Sequence, residues 1–120
     1  MPVDQMTMTL GSWLRKQRRR RVALPPILDE DLKRLLPAAA GEAAADALTP
    51  GRHQLVRDVH YWTGVDRLLL AALVDALLHR IRVLGLRIED GQTAVQMASL
   101  SVFVTTLATN YLKTGQFVEA

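Results

Sequence analysis

The chain has 120 residues, 49% of them hydrophobic, and carries fifteen Lys and Arg against twelve Asp and Glu for a net charge of +3. One domain of this size buries about two-thirds of the surface that its unfolded form exposes. The absence of cysteine excludes a disulfide framework and any thiolate metal site, and leans toward a cytoplasmic location.

The charge is unevenly placed. Six of the fifteen cations are Arg15, Lys16, Arg18, Arg19, Arg20 and Arg21, and the rest of the chain holds nine cations against twelve anions. The basic character therefore belongs to one short arm. After it, Val22, Ala23 and Leu24 give way to Pro25 and Pro26, too short an apolar run for a secretory signal. Arginine exceeds lysine twelve to three and alanine is abundant, as in a GC-rich bacterial or phage coding sequence.

In chain order, residues 1–11 show no period. Ser12 is a fair N-cap for a short helix over 13–21, with arginines around most of its circumference. Neighbouring like charges oppose that helix in isolation and favour its ordering against something acidic. Pro25-Pro26 is the linker that ends an arm of residues 1–27. Asp29 is read as the cap of a helix over 30–36, with Leu28, Leu32, Leu35 and Leu36 as its apolar contacts. Pro37 restarts the chain into AAAGEAAADAL, read as a thin helix or ordered connector.

Thr49-Pro50 predicts the start of a helix over 50–62, with Leu55, Val59 and Trp62 inward at i, i+4 and i+7. Thr63 and Asp66 are spaced as a capping box for the next helix. That helix belongs to the run 63–86, TGVDRLLLAALVDALLHRIRVLGL, which is apolar almost all round. Its polar exception is the stripe Asp75, His79 and Arg82, either a solvent edge or a two-fold contact. Two copies crossing antiparallel at Leu78 and His79 would set Asp75 of each against Arg82 of the other.

Residues 91–112 contain no charge. The predicted inward face is Met97, Leu100, Val104, Leu107, Ala108, Tyr111 and Leu112, with a small-residue seam of Ala94, Ala98, Ser101 and Thr105 that permits close helix approach. The other face carries Gln92, Gln96, Ser99, Thr106, Asn110 and Lys113, and there Phe103 suggests a second chain. Gly115 is the predicted stop. Ten of these 22 residues are Ser, Thr, Asn, Gln or Gly, which argues against a membrane span.

The fold expected is all-α: a small helical bundle over 28–116 with a long central helix hairpin, preceded by the basic arm and followed by a tail, 117–120. The arm, WLRKQRRRR, has the charge density of a phosphate contact, where guanidinium groups displace condensed counterions and Trp13 could stack on a base. That density assigns the nucleic-acid contacts to Trp13, Arg15, Lys16, Arg18, Arg19, Arg20 and Arg21, and over some nine residues the arm loosely resembles the arginine-rich RNA-binding peptides of phage antiterminators, with no exact motif. An acidic protein surface, anionic lipid, or the chain's own Asp29, Glu30 and Asp31 would also satisfy that charge.

The segment 54–77 has the outline of a helix-turn-helix, resting on Val59, Gly64 and Val65, but the positions that would meet base edges read Arg67, Leu68, Leu69, Leu70, Ala71. His53, His60 and His79 show no metal-ligand spacing, and no phosphate loop or nucleophile motif is present. No catalytic residue, metal or cofactor is expected. The expected class is a non-enzymatic, homodimeric regulator or adaptor that contacts nucleic acid. The alternative is a subunit or inhibitor of a larger bacterial or phage assembly, and a helix-turn-helix regulator comes third.

Overall fold

The structure is a computed structural model and describes residues 27–117. The domain is an all-α bundle, with one small two-stranded ribbon. Helix α1, Ile27–Leu35, opens it. It begins three residues before the predicted Glu30, so Asp29 lies in its first turn and not at its cap. Leu28, Leu32 and the following Leu36 are buried, one turn apart on the face turned to the core. Asp29 is instead spanned by the guanidinium of Arg80, whose Nε and Nη2 donate to its two oxygens at 2.8 and 2.6 Å.

The alanine-rich run departs from the predicted thin helix. Its first half is extended: strand β1, Glu42–Ala43, pairs antiparallel with β2, Arg87–Ile88, in the register Glu42 to Ile88 and Ala43 to Arg87. Gly41 makes this approach possible. Its φ is +117°, and a Cβ there would stand 2.1 Å from the carbonyl oxygen of Ile88. The second half forms the short helix α2, Ala44–Leu48, which buries Ala44, Ala45 and Leu48. Small side chains let its backbone lie close to the long helices that follow.

A single 3-10 turn, Thr49–Gly51, leads into α3, Arg52–Thr63. Thr49 is not the expected N-cap, because its hydroxyl donates back to the Ala45 carbonyl at 2.6 Å. Helix α3 buries Leu55, Val56 and Val59, while Trp62 at the predicted i+7 position is 59% exposed. Gly64 closes α3 in the left-handed conformation, and Val65 drops into the core.

Helix α4, Arg67–Leu84, is capped by Asp66 itself, whose carboxylate accepts from the backbone N–H of Leu68 and Leu69 at 3.0 and 3.1 Å. Thr63 does not form the predicted box; its hydroxyl donates to the Val59 carbonyl within α3 and accepts from the N–H of Val65. Leu70, Leu73, Val74, Leu77, Leu78 and Ile81 fill the covered face of α4. Helix α5, Thr93–Thr114, buries Leu100, Val104, Leu107 and Ala108, and α3 packs on both α4 and α5. Asn110, predicted on the wet face, is buried as well, whereas Leu112, predicted inward, is 58% exposed. The packed face of α5 is thus rotated from the predicted one toward Phe103. Gly115 ends α5 as predicted. Phe117, read as tail, is 5% exposed and stacks on Tyr111 with ring centroids 4.4 Å apart, so the packed domain includes it.

Candidate interaction surfaces

Asp75, His79 and Arg82 form an exposed stripe on α4, as their spacing implies. The ions of that stripe are satisfied within the chain. Arg52, at the start of α3, forks onto Asp75 through Nε and through Nη2, the latter at 2.9 Å. Arg82 Nη1 lies 2.8 Å from an oxygen of Asp46 on α2. Leu78, expected at the crossing point of two copies, is 7% exposed and belongs to the core. Within the chain, α2 and the start of α3 run beside α4 and bring these opposite charges to Asp75 and Arg82. His79 stays exposed on the same stripe.

Hydrogen bonding dominates the electrostatics here. The Asp75 carboxylate raises the pKa of Arg52, with partial burial working in the opposite direction. The Arg80 guanidinium lowers the pKa of Asp29, chiefly through its hydrogen bonds; desolvation works the other way, and the charges of Arg80 and Lys33 add a smaller lowering. The neighbouring acids are also matched: Glu30 with Lys33 at 3.3 Å and Asp31 with Arg34. Each of the three acids next to the arm thus has a cation partner on the body.

Phe103 is half-buried and packs against the core, so the chain itself covers part of the ring. His60 Nδ1 is 2.7 Å from the carbonyl of Val65, and with the proton on that nitrogen it ties the end of α3 to the following turn. His53 is exposed. Among the described residues no group of three His, Cys, Asp or Glu could hold a metal ion.

The turn between α3 and α4 frames a polar recess of about 680 Å³, lined by Arg57, Asp58, His60, Tyr61, Gly64 and Arg67. Tyr61 is 83% exposed above it. In α4, Leu68 and Leu69 are half-covered and Leu70 is fully buried, so the first turn of the helix offers Arg67 alone as an exposed polar group.

A second recess, about 480 Å³ and mostly apolar, lies between the end of α3 and the outer face of α5. Trp62, Ala98, Ser101, Val102, Thr105 and Thr106 line it. Tyr61, Trp62, Val83, Val95, Val102 and Leu112 are the large hydrophobics exposed on the described body, and three of these six lie on α5 with Trp62 beside them. The sequence reading found the small-residue seam but not the valines that border it. The available signal was the recurrence of Val95 and Val102 seven residues apart within a charge-free run.

Trp13, Arg15, Lys16, Arg18, Arg19, Arg20 and Arg21 lie outside the described residues. Among the described residues no helix is long and apolar enough to cross a membrane. Compared with protein-family models, curated proteins and solved structures, the chain matches none.

Proposed function

We propose that the protein is a non-enzymatic helical adaptor or regulator whose arginine-rich arm contacts nucleic-acid phosphates. The observation that carries this reading is a separation of charge. Seven consecutive positions, 15–21, hold six cations and no acid, while the acids at 29–31 already pair with Arg80, Lys33 and Arg34 on the body. A cationic run whose nearest acids are matched elsewhere is best neutralised by an external polyanion. Phosphate backbone is the densest such partner, and arginine forks fit its oxygens.

The test is a fluorescence-anisotropy titration of the full chain with single-stranded and duplex RNA and DNA across a salt series. Replacing Arg18, Arg19, Arg20 and Arg21 by alanine should weaken binding at low salt. It should also flatten the slope of log K against log salt by roughly 3 to 4 if each arginine neutralises one phosphate. Binding that is absent at low salt, or unchanged in the variant, refutes the proposal. Retention of the protein on an acidic polypeptide with no affinity for either nucleic acid would assign the arm to a protein partner instead. That second reading, a subunit of a larger bacterial or phage assembly, draws its support from the exposed apolar face of α5.

A further inference from the structure

The inner face of α5 is fully occupied by the core, yet its outer face repeats a second apolar pattern. Val95, Val102 and Thr109 are seven residues apart, and so are Ala98, Thr105 and Leu112. Together they make a seam of alternating three- and four-residue steps, the spacing that keeps one helix in contact with another along its length. Val95, Val102 and Leu112 are 57, 67 and 58% exposed. The threonines add to this seam. Thr105 and Thr109 donate their hydroxyls to the carbonyls of Ser101 and Thr105 in their own helix, at 2.8 and 2.9 Å, and Thr106 beside them donates to Val102 at 3.0 Å. With these three hydroxyls engaged, covering the threonines strands none of their donors.

We infer that this seam is a self-association surface on which α5 of a second copy packs antiparallel, with the two-fold axis at Val102. Three observations select this occupant. No charge lies between 91 and 112, so a two-fold axis opposes no like charges where each residue meets its own copy. Small and β-branched residues along the seam let two helices approach closely, with Trp62 lying over the edge of the joint. Finally, an axis at 102 sets position 113 opposite position 91 of the other copy. Lys113, an exposed cation with no ion pair among the described residues, then meets the turn that carries Glu89 and Asp90, exposed acids that are likewise without one.

A parallel arrangement would set Lys113 against Lys113 and bring the helix dipoles into the same direction. Trp62, 59% exposed beside the seam, adds an aromatic side chain to the contact. This inference goes beyond the proposed function and is independent of what the arm binds.

Sedimentation velocity and light scattering on the full chain test it. The wild type should be dimeric at about 50 μM, and Val102→Glu, which opposes two carboxylates at the axis, should raise the dissociation constant at least about a hundredfold. Because Val102 is exposed in the single chain, the variant should keep its helical circular dichroism. Lys113→Glu should weaken the dimer, and adding Glu89→Lys and Asp90→Lys should restore it.

The chain has no cysteine, so orientation can be read by introducing one. Val102→Cys should cross-link on oxidation, because a disulfide spans Cα atoms about 4.4 to 6.8 Å apart. Val95→Cys should not, its two copies lying roughly 21 Å apart along the antiparallel pair. A wild type that stays monomeric at 50 μM, whether or not it sediments with phosphatidylglycerol vesicles, overturns the inference. So does a dimer indifferent to Val102→Glu, or efficient cross-linking through Val95→Cys. Failure of nucleic-acid binding leaves every one of these outcomes unchanged, whereas the arginine-to-alanine arm variant should still dimerise.

Discussion

Replacing Gly41 by alanine tests the feature of this fold that helix propensity does not foresee. The new Cβ would stand 2.1 Å from the Ile88 carbonyl oxygen and 2.9 Å from its carbon. Neither contact can be relieved by rotating a side chain, so the backbone must give by about an ångström, with a cost that grows steeply with displacement. The shift disturbs the pairing of β1 with β2 and the 2.6 Å bond from Arg87 Nη1 to the Gly41 carbonyl. It also disturbs the 2.9 Å bond from Ala44 N–H to the Leu86 carbonyl. Holding an L-residue at φ +117° adds about 1 to 3 kcal/mol. Against this, alanine restricts the unfolded chain and returns about 0.4 to 1 kcal/mol.

The net expectation is a loss of about 2 to 4 kcal/mol. In urea, with a slope of about 1.5 kcal/mol/M, the midpoint should fall by roughly 2 M. Gly91→Ala is the control. Its φ is +83° but nothing lies within 4 Å of the added Cβ, so it carries the conformational strain without the clash. If Gly41→Ala costs no more than Gly91→Ala, the close approach of segment 41–43 to 87–88 is wrong. The account of how the first third of the domain is fastened to the α4–α5 connection then fails with it.

Phe117→Ala should cost about 2 to 4 kcal/mol in the same assay, because a ring that is 5% exposed and stacked on Tyr111 is lost. A change under about 0.5 kcal/mol would return residue 117 to the tail. Acid stability should depend on Asp29. Its carboxyl titrates below the ordinary aspartate range because Arg80 hydrogen-bonds the charged form, so the unfolded chain takes up this proton first. The stabilisation is complete above an unfolded value of about 3.9 and is lost as pH falls through the lower folded value. Asp29→Asn should therefore lower the urea midpoint at pH 6 and leave a shallower decline between pH 5 and 2. Identical profiles for the variant and the wild type would remove the ion pair from the account of how α1 is held.

The arm and the bundle act through different physics, and the two proposed contacts inherit that difference. Phosphate binding by the arm is dominated by counterion release and weakens steeply with salt. Association through α5 removes an uncharged face from water, so added salt should leave it intact apart from the end contacts at Lys113. Comparing oligomeric state and nucleic-acid affinity across one salt series thus separates the two surfaces without any mutation.

The all-α class, the long apolar run that forms α4, and the glycine stop at Gly115 were legible in the sequence alone. They follow from local rules: a 3.6-residue apolar period persists over many turns, and a left-handed residue ends a helix. The concentration of positive charge at 15–21 is equally a property of the chain and needs no fold to be seen.

What only the tertiary structure decided are the features that depend on which segments become neighbours. Alanine-rich sequence around 42–43 became strand because the 87–88 segment offered unpaired backbone groups and Gly41 allowed them close. Asp29 and Asp75 acquired arginine partners 51 and 23 residues away, so an expected helix cap became an internal fastening and the α4 stripe gained a bond to the start of α3. The rotation of α5 in its groove chose between faces that periodicity left nearly equal. It drew Phe103 and Asn110 toward the core and turned Val95, Val102 and Leu112 outward. A helix with two apolar stripes can bury only one against its own body, and the packing of α1, α2 and α3 settles which stripe that is.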